Sequence, residues 1–544
     1  MSSSLAANTS GRMQPIWLTT AELPKFQHLT RNLETDVCIV GAGIAGLTTA
    51  YLLVQAGKRV VVLEDGDICS GETGRTSAHL SNALDDRYFE IERLHGEDGA
   101  RLAADSHTAA IDLIEDIVAR ERIDCEFQRV DGYLFIPPGE SLDILEREIG
   151  AAHRAGLTGV HWVPRAPLGE FETGRALLFP RQAQFHPIKY LARLAEIITA
   201  KGGLIFCRSH VEDIHGGSPA RVLAKGGHVV TASAVVVATN TPINDRVVIH
   251  TKQSAYRSYV IGARVPAGSL PQALLWDTTD PYHYVRVKSM GGPGSEAAYD
   301  VLIIGGEDHK TGQKDDAEMR YRLLEMWAME RYPMIERIEF RWSGQIMEPV
   351  DCLAFIGHNP WDEENVYICT GDSGNGLTHG TIAAMINTDL IVGRENRWAK
   401  LYDPRRKSLK SAGDFAKENL NVLPQYADWL TPGETTHESR IPRGSGMILR
   451  KGLTKVAVYC DDKGACHECS AVCPHLGCIV SWNSGEKTWD CPCHGSRFDA
   501  YGTVINGPAN SNLGSAPDAS GRFPTIASPK RDASSSPAPR TVRR

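Results

Sequence analysis

No run of eighteen apolar residues occurs anywhere in the 544-residue chain, so no membrane-spanning helix is expected. A strong excess of one charge is also missing: the net charge of -8 and a pI near 6.2 argue against general nucleic-acid binding. The first fifteen residues are polar and lack the apolar centre of a secretory signal, which makes a cytoplasmic location the default expectation. No pattern of two histidines and a carboxylate stands out, which disfavours a mononuclear-iron oxygenase. Cysteine is sparse over most of the chain; seven of the thirteen fall between Cys460 and Cys493. Such crowding marks a local site, because a secreted disulfide scaffold spreads its cysteines through a small chain. What is present, 42% hydrophobic and 23% charged residues, suits a globular protein, and the length suits about three domains.

The first motif is a strand-length apolar run, Asp36 to Val40, that passes through Gly41-Ala-Gly43-Ile44-Ala45-Gly46 into a helix expected to end at Gly57. A second strand, Arg59 to Leu63, ends at Glu64. This is the βαβ dinucleotide fingerprint in its required context. Gly41 permits the tight turn, Gly43 lets backbone approach the pyrophosphate, and Gly46 lets helix and strand pack. Glu64 is placed to accept from ribose hydroxyls. The fingerprint alone does not separate FAD from NAD.

Three later pieces do. They are the Gly71–Leu80 loop with Gly74, Arg75, Thr76 and Ser77, the strand and small-residue turn ending Ala238-Thr239-Asn240, and the loop Gly371-Asp-Ser-Gly374-Asn-Gly376-Leu377-Thr378 opening a helix. In this order they resemble the D-amino-acid oxidase (DAO) superfamily of FAD enzymes, over about residues 35–400. The resemblance implies that these residues bind FAD, that Val211 gives a backbone contact to the adenine, and that the last helix aims its N-terminus at the flavin. It also suggests a strand-borne arginine as a carboxylate clamp with tyrosines closing the site, here Arg286 with Tyr259 and His283, within the stretch Tyr256–Arg286. Some relatives attach flavin covalently through a histidine near His79, but the local pattern departs from theirs and a non-covalent flavin is expected. Gly305–Gly312 reads as a surface loop. Residues 85–130 read as helical, with Ile111, Ile114 and Ile117 on an apolar face, and residues 204–239 as a small strand meander.

Near the C-terminus, Cys473-Pro-His475-Leu-Gly477-Cys478 is answered by Cys491-Pro-Cys493-His494-Gly495-Ser496. Thiolate and imidazole together suit iron–sulfur ligation. A Cys2His2 zinc site is the competing reading, though its usual spacings differ. The paired motif resembles the Rieske proteins. That resemblance implies a [2Fe-2S] cluster held by Cys473 and Cys491 on one iron and His475 and His494 on the other, with a Cys478–Cys493 disulfide joining the loops. In a reducing cytosol that disulfide would need burial to protect it. Cys466 and Cys469 form a C-x-x-C that could serve a second metal or redox role. Short β segments from Pro442 to Pro508 suit a small antiparallel barrel, and Asn506–Ala509 resembles the proline loop over a Rieske cluster. Ser496 stands where higher-potential relatives hydrogen-bond a bridging sulfide, and Phe498 where they place a tyrosine.

The expected architecture is an α/β Rossmann-type FAD-binding domain (about 35–105, 175–245 and 340–400) with an α+β substrate domain (about 106–174 and 246–339). Residues 401–430 form a bridge and 431–511 a small all-β Rieske domain, with a lead-in over 1–34 and a disordered tail over 512–544. The expected function is an FAD-dependent dehydrogenase that oxidises a small substrate, an amine or amino acid, at a C–N bond. Electrons then pass singly through the cluster to an external acceptor, ferredoxin- or cytochrome-like or a quinone, because flavin stores two electrons and the cluster carries one. No side-chain nucleophile is expected. Two alternatives stay open: an oxygen-using amine oxidase with a non-relay Rieske domain, and a non-catalytic electron carrier or redox sensor.

Overall fold

The computed structural model describes residues 11–516 except 138, 245–248, 292–297, 361, 364, 407–426, 436 and 453. Four apolar runs build the centre of one sheet. Val366–Thr370, Val229–Val237, Leu33–Val40 and Val60–Leu63 pair in parallel in that order, with Leu204–Phe206 at one edge and antiparallel Phe355–His358 at the other. Near-continuous Val, Ile and Leu is what a sheet buried on both faces requires. Helices Ile44–Gln55, Pro187–Ala200 and Gly376–Val392 contribute to its covering core. The first and last of these approach closely at Gly380, where a Cβ would lie 2.7 Å from the Ile44 side chain.

The second sheet is larger and mostly antiparallel. Its order is Arg337–Pro349, Gln253–Pro266, Tyr299–Lys310, His283–Met290, Leu274–Asp277, Gln128–Phe135, Ala176–Gln184, His79–Leu80, with His161–Val163 beside Ala176–Gln184. The helical segment Tyr88–Glu121 breaks at Gly96, whose φ of 78° ends the first helix, and it buries Ile111, Ile114 and Ile117. A three-stranded sheet (Ser445–Lys451, Thr454–Cys460, Cys466–Ser470) and a four-stranded one (Ser481–Asn483, Thr488–Asp490, Arg497–Asp499, Val504–Asn506) make the C-terminal domain, all antiparallel. Its core is aromatic, with Trp482 against Trp489 at 4.8 Å between ring centroids. Among the described residues no helix is long and apolar enough to cross a membrane.

Four local expectations are corrected. The lead-in is partly structural: Ile16 and Trp17 are fully buried, and Trp17 Nε1 donates to Thr76 O at 2.6 Å. The helical stretch expected over residues 85–130 ends at Glu121, and a strand begins at Gln128. Gly305–Lys310, read as the start of a surface loop, continues a buried strand. Residues 512–516, expected in a disordered tail, pack on the C-terminal domain through buried Leu513 and a Cys469–Ser515 bridge. Most of the 401–430 bridge and the remainder of the tail lie outside the described residues.

Candidate active site and cluster site

A long cavity runs between the two large sheets, and the fingerprint forms one end of it. Gly41 turns with φ of 107°, and a Cβ there would meet Ala238 O at 2.4 Å. At Gly46 a Cβ would sit 1.9 Å from Gly41 O, so this glycine serves helix–strand packing behind the cavity wall. Gly43, Ile44 and Ala45 line the wall itself, and Thr73 Oγ1 accepts from Ile44 N–H at 3.1 Å. Glu64 ends its strand with the carboxylate turned in, accepting from the N–H of Ala42 (2.6 Å) and Gly66 (3.0 Å). Burial pushes that carboxyl up to about 7, against the pull of the two N–H donors.

Val211, Ala238 and Thr239 also line the cavity, as do Gly371, Gly374, Gly376 and Leu377. There the helix Gly376–Val392 opens towards the cavity. Thr378 turns away and bonds His107 Nδ1 at 2.8 Å. Gly74 also lies off the wall, where a Cβ would strike Cys69 O at 2.4 Å. Thr76 and Ser77 face inward, as does Arg75, but the terminal nitrogens of Arg75 are engaged elsewhere: Nη1 reaches Ser343 O and Glu486, Nη2 reaches Met13 O. His79 is on the wall with Nδ1 at 2.9 Å from Ser77 Oγ and Nε2 at 3.3 Å from Val285 O. Bare glycines that leave no room for a Cβ, a helix N-terminus and an inward carboxylate at a strand end fit the pyrophosphate and ribose of FAD.

The substrate trio needs correction. Tyr259 is buried off the cavity, its hydroxyl 2.9 Å from His309 Nε2. His283 bonds Asp277 at 2.9 Å and stacks on Trp327 at 4.3 Å. Arg286 donates to Ala78 O (2.7 Å) and Phe185 O (3.2 Å), with its guanidinium over Trp17. The reason is strand alternation. Ser258 and Val260 face the cavity, as do Tyr282 and Tyr284; Tyr259 and His283 therefore face the other way, and Arg286 lies further along the strand than the wall extends. Trp276, Asp85 and Asp372 complete this end, none of them proposed from sequence. The Tyr282/Tyr284 alternation was the available signal; the Asp85-Asp86 pair carried none.

The two cysteine–histidine loops repeat one turn. Gly477 N–H donates to Cys473 O and Gly495 N–H to Cys491 O, both at 3.0 Å, and both glycines have φ near 80° (81° and 79°). That left-handed value is why glycine closes each loop. Cys473 and Cys491 are buried, the His475 and His494 rings lie 5.0 Å apart, and His494 Nδ1 is buried with no hydrogen-bond partner. A paired Cys/His set with an unspent ring nitrogen fits a cluster with His on one iron. Cys478 and Cys493 form a disulfide across the loops, and both are buried. The Cys466–Cys469 pair is not a second metal site. Cys466 is disulfide-bonded to Cys460 on the facing strand, and buried Cys469 stands alone with Sγ 3.8 Å from Ala457 O.

The loops face the cavity domain. Gln345, on the cavity wall, donates from Nε2 to Gly495 O at 3.0 Å, next to His494, and from its backbone N–H to Glu72 at 2.6 Å. Asn506 of the small domain donates to the same Glu72 at 3.1 Å. The ring of buried His250 stands 5.0 Å from that of His475 and 6.2 Å from that of His494. Ser496 Oγ accepts from Ala509 N–H at 2.9 Å, tying the proline loop to the second cluster loop. Phe498 is fully buried in the apolar cluster that holds Cys473 and Cys491. Replacing Phe498 by Tyr is expected to raise the cluster's potential, since a donor to the cluster stabilises its reduced form. Redox titration followed by EPR checks this, and an unchanged or lower potential contradicts it.

A dinucleotide cavity walled by two sheets, abutted by paired Cys/His loops, defines an oxidoreductase that joins a flavin to an iron–sulfur centre. The FAD dependent oxidoreductase (DAO) family model matches residues 36–390 and the Rieske [2Fe-2S] domain model residues 434–517. YhfW of Bacillus subtilis (strain 168), whose name describes a Rieske 2Fe-2S iron-sulfur protein, is 32% identical over 91% of this chain and 95% of its own. Gamma-glutamylputrescine oxidoreductase of Escherichia coli (strain K12) is 28% identical over 69% of this chain and 87% of its own. Glycine oxidase from Geobacillus kaustophilus shares the fold, with a TM-score of 0.57 at 20% identity over 69% of this chain and all of that one. The chain belongs to the FAD-dependent oxidoreductase (DAO) family and carries a C-terminal Rieske domain; its cofactors are FAD and a [2Fe-2S] cluster.

Proposed function

We propose that the protein is a dehydrogenase that oxidises a small amine or amino acid at its C–N bond and sends the electrons through the Rieske centre to an external one-electron acceptor, ferredoxin- or cytochrome-like or a quinone. When bound, FAD would supply the two-electron sink for oxidation of amine to imine, in which the α-carbon gives up a hydride and the nitrogen a proton. The Rieske cluster supplies the one-electron exit. In this reading the glycine turn and the N-terminus of the helix Ile44–Gln55 would face the pyrophosphate, Glu64 the ribose, and the helix opening at Gly376 the flavin. Cys473 and Cys491 hold one iron, His475 and His494 the other. The amine assignment draws support from gamma-glutamylputrescine oxidoreductase, a relative over most of its length.

The observation that carries the relay is Gln345, whose side chain spans from the cavity wall to Gly495 O beside His494. An oxidase using oxygen has no need of such a bridge. Gln345→Leu removes the hydrogen bond to Gly495 O, on the order of 1 kcal/mol, with the longer ones to Thr311 Oγ1 (3.4 Å) and Met347 Sδ (4.0 Å), and is expected to slow flavin-to-cluster transfer about fivefold with flavin content unchanged. The functional test mixes substrate-reduced protein with ferricenium or with oxygen. Fast reoxidation by ferricenium and slow reoxidation by oxygen is expected; fast oxygen consumption with a silent cluster contradicts the proposal. A cytoplasmic location belongs to the same reading, with burial of Cys478 and Cys493 guarding that disulfide from thiol exchange.

A further inference from the structure

The substrate end of the cavity has a chemical sign. Asp85 is half-buried on the wall, its carboxylate accepting from Tyr282 Oη at 2.8 Å. It lies directly over Gly374, where a Cβ would come within 1.8 Å of Asp85 Oδ2, so only glycine leaves room for the carboxylate there. Asp372 adds a second carboxylate to the wall, anchored by Met347 N–H at 2.7 Å. Behind them Ser373 Oγ joins Asp86 (2.5 Å) and Glu348 (2.9 Å), so the acidic character continues into the core.

Aromatic faces are the second and independent feature. Tyr282 and Tyr284 stand 5.8 Å apart between ring centroids, and Trp276 joins them on the wall. Aromatic faces beside a carboxylate attract ammonium groups. A carboxylate-bearing substrate finds the opposite. Among the described residues no lysine lines the cavity, and Arg75, the guanidinium on its wall, has both terminal nitrogens bound to Ser343 O, Glu486 and Met13 O. No bidentate fork is left to grip an α-carboxylate.

We propose that the substrate is held as an ammonium cation on Asp85 between Trp276, Tyr282 and Tyr284, and that the site selects amines without a carboxylate on the carbon to be oxidised. This rests on the cavity being the substrate site of the dehydrogenase proposed above. It makes amines, not amino acids, the substrate class.

Matched pairs test it: n-butylamine against norvaline, and 3-methylbutylamine against leucine, each pair differing only by the α-carboxylate. Each is titrated anaerobically into the FAD- and cluster-loaded protein, and the flavin band is followed. At least about tenfold preference for the amine of each pair is expected. Asp85→Asn is expected to weaken amine binding about 10–100-fold, with norvaline and leucine within about twofold of their wild-type values. Asp85→Glu, which keeps the charge, is expected to retain most amine affinity and guards against a merely structural loss. Preference for the amino acids, no response to either amine, or unchanged amine binding in Asp85→Asn overturns the proposal. Transfer from photoreduced flavin to cluster involves no substrate. Its failure would count against the relay, and its success beside a failed amine preference would count against this inference alone.

Discussion

Glu486→Gln is expected to destabilise the protein by about 3–5 kcal/mol, the cost of leaving buried charge without its partner. Glu486 sits in a hairpin turn of the Rieske domain, yet its side chain is 2% exposed and enters the FAD-binding part. It accepts from Arg75 (2.8 Å), Arg257 (3.2 Å), Ser343 Oγ (2.6 Å) and the Met13 N–H (3.0 Å). Both arginine side chains are 1% exposed. Burial alone would push the carboxyl up, but Arg75, Arg257 and Arg497 outweigh it and hold it at about 2. A glutamine keeps the shape and loses the charge, so two buried guanidiniums face a neutral amide. The apparent melting temperature should fall by roughly 10 °C.

The sign with pH follows from the depressed value. The wild-type advantage over Glu486→Gln is present in full above the ordinary glutamate value of 4.5 and is lost as pH falls towards about 2. Thermal melts of both proteins from neutral pH downward check this. Equal melting at pH 7, or a gap that widens on acidification, contradicts it.

Cys491→Ser is expected to have the largest functional effect. Cys491 is buried at the start of the second loop, and its thiolate is one of four ligands in the proposed set. Changes in groups that merely support metal ligands cost 10–100-fold, so losing a ligand should exceed that. We expect no reduced-cluster EPR signal, FAD retained, and reduction of an external one-electron acceptor down by more than about 100-fold. The flavin itself should still bleach with substrate. Unchanged acceptor reduction in a cluster-free protein would mean that electrons leave from the flavin directly.

What was legible in the sequence was what chemistry fixes locally. The dinucleotide fingerprint and the Cys/His loops carry their geometry within a few residues, because Gly41, Gly477 and Gly495 each occupy a backbone conformation that other residues avoid. The choice of strand face was not legible. Strand alternation puts Ser258, Val260, Tyr282 and Tyr284 on the cavity side, and residue types alone do not say which of the two faces that is. A one-residue error moved the substrate assignment from Tyr282 and Tyr284 to His283, and from Ser258 to Tyr259. Long-range partnerships were invisible for a different reason. Gly485-Glu486-Lys487 reads as an ordinary solvent turn, and only the packing of the two domains turns Glu486 inward. Arg75, expected to bind FAD, lies on the cavity wall, but nothing near it in sequence indicates that a carboxylate more than 400 residues away takes its charge.

Whether flavin and cluster form one internal relay can be measured without any substrate. The flavin of the fully loaded protein is photoreduced without oxygen, and samples are frozen at intervals for absorbance and low-temperature EPR. Flavin bleaching is expected to be followed by growth of a reduced Rieske signal, one electron per cluster, more slowly in Gln345→Leu. A fully bleached flavin beside an intact cluster that stays oxidised, in a protein that air reoxidises quickly, would contradict it.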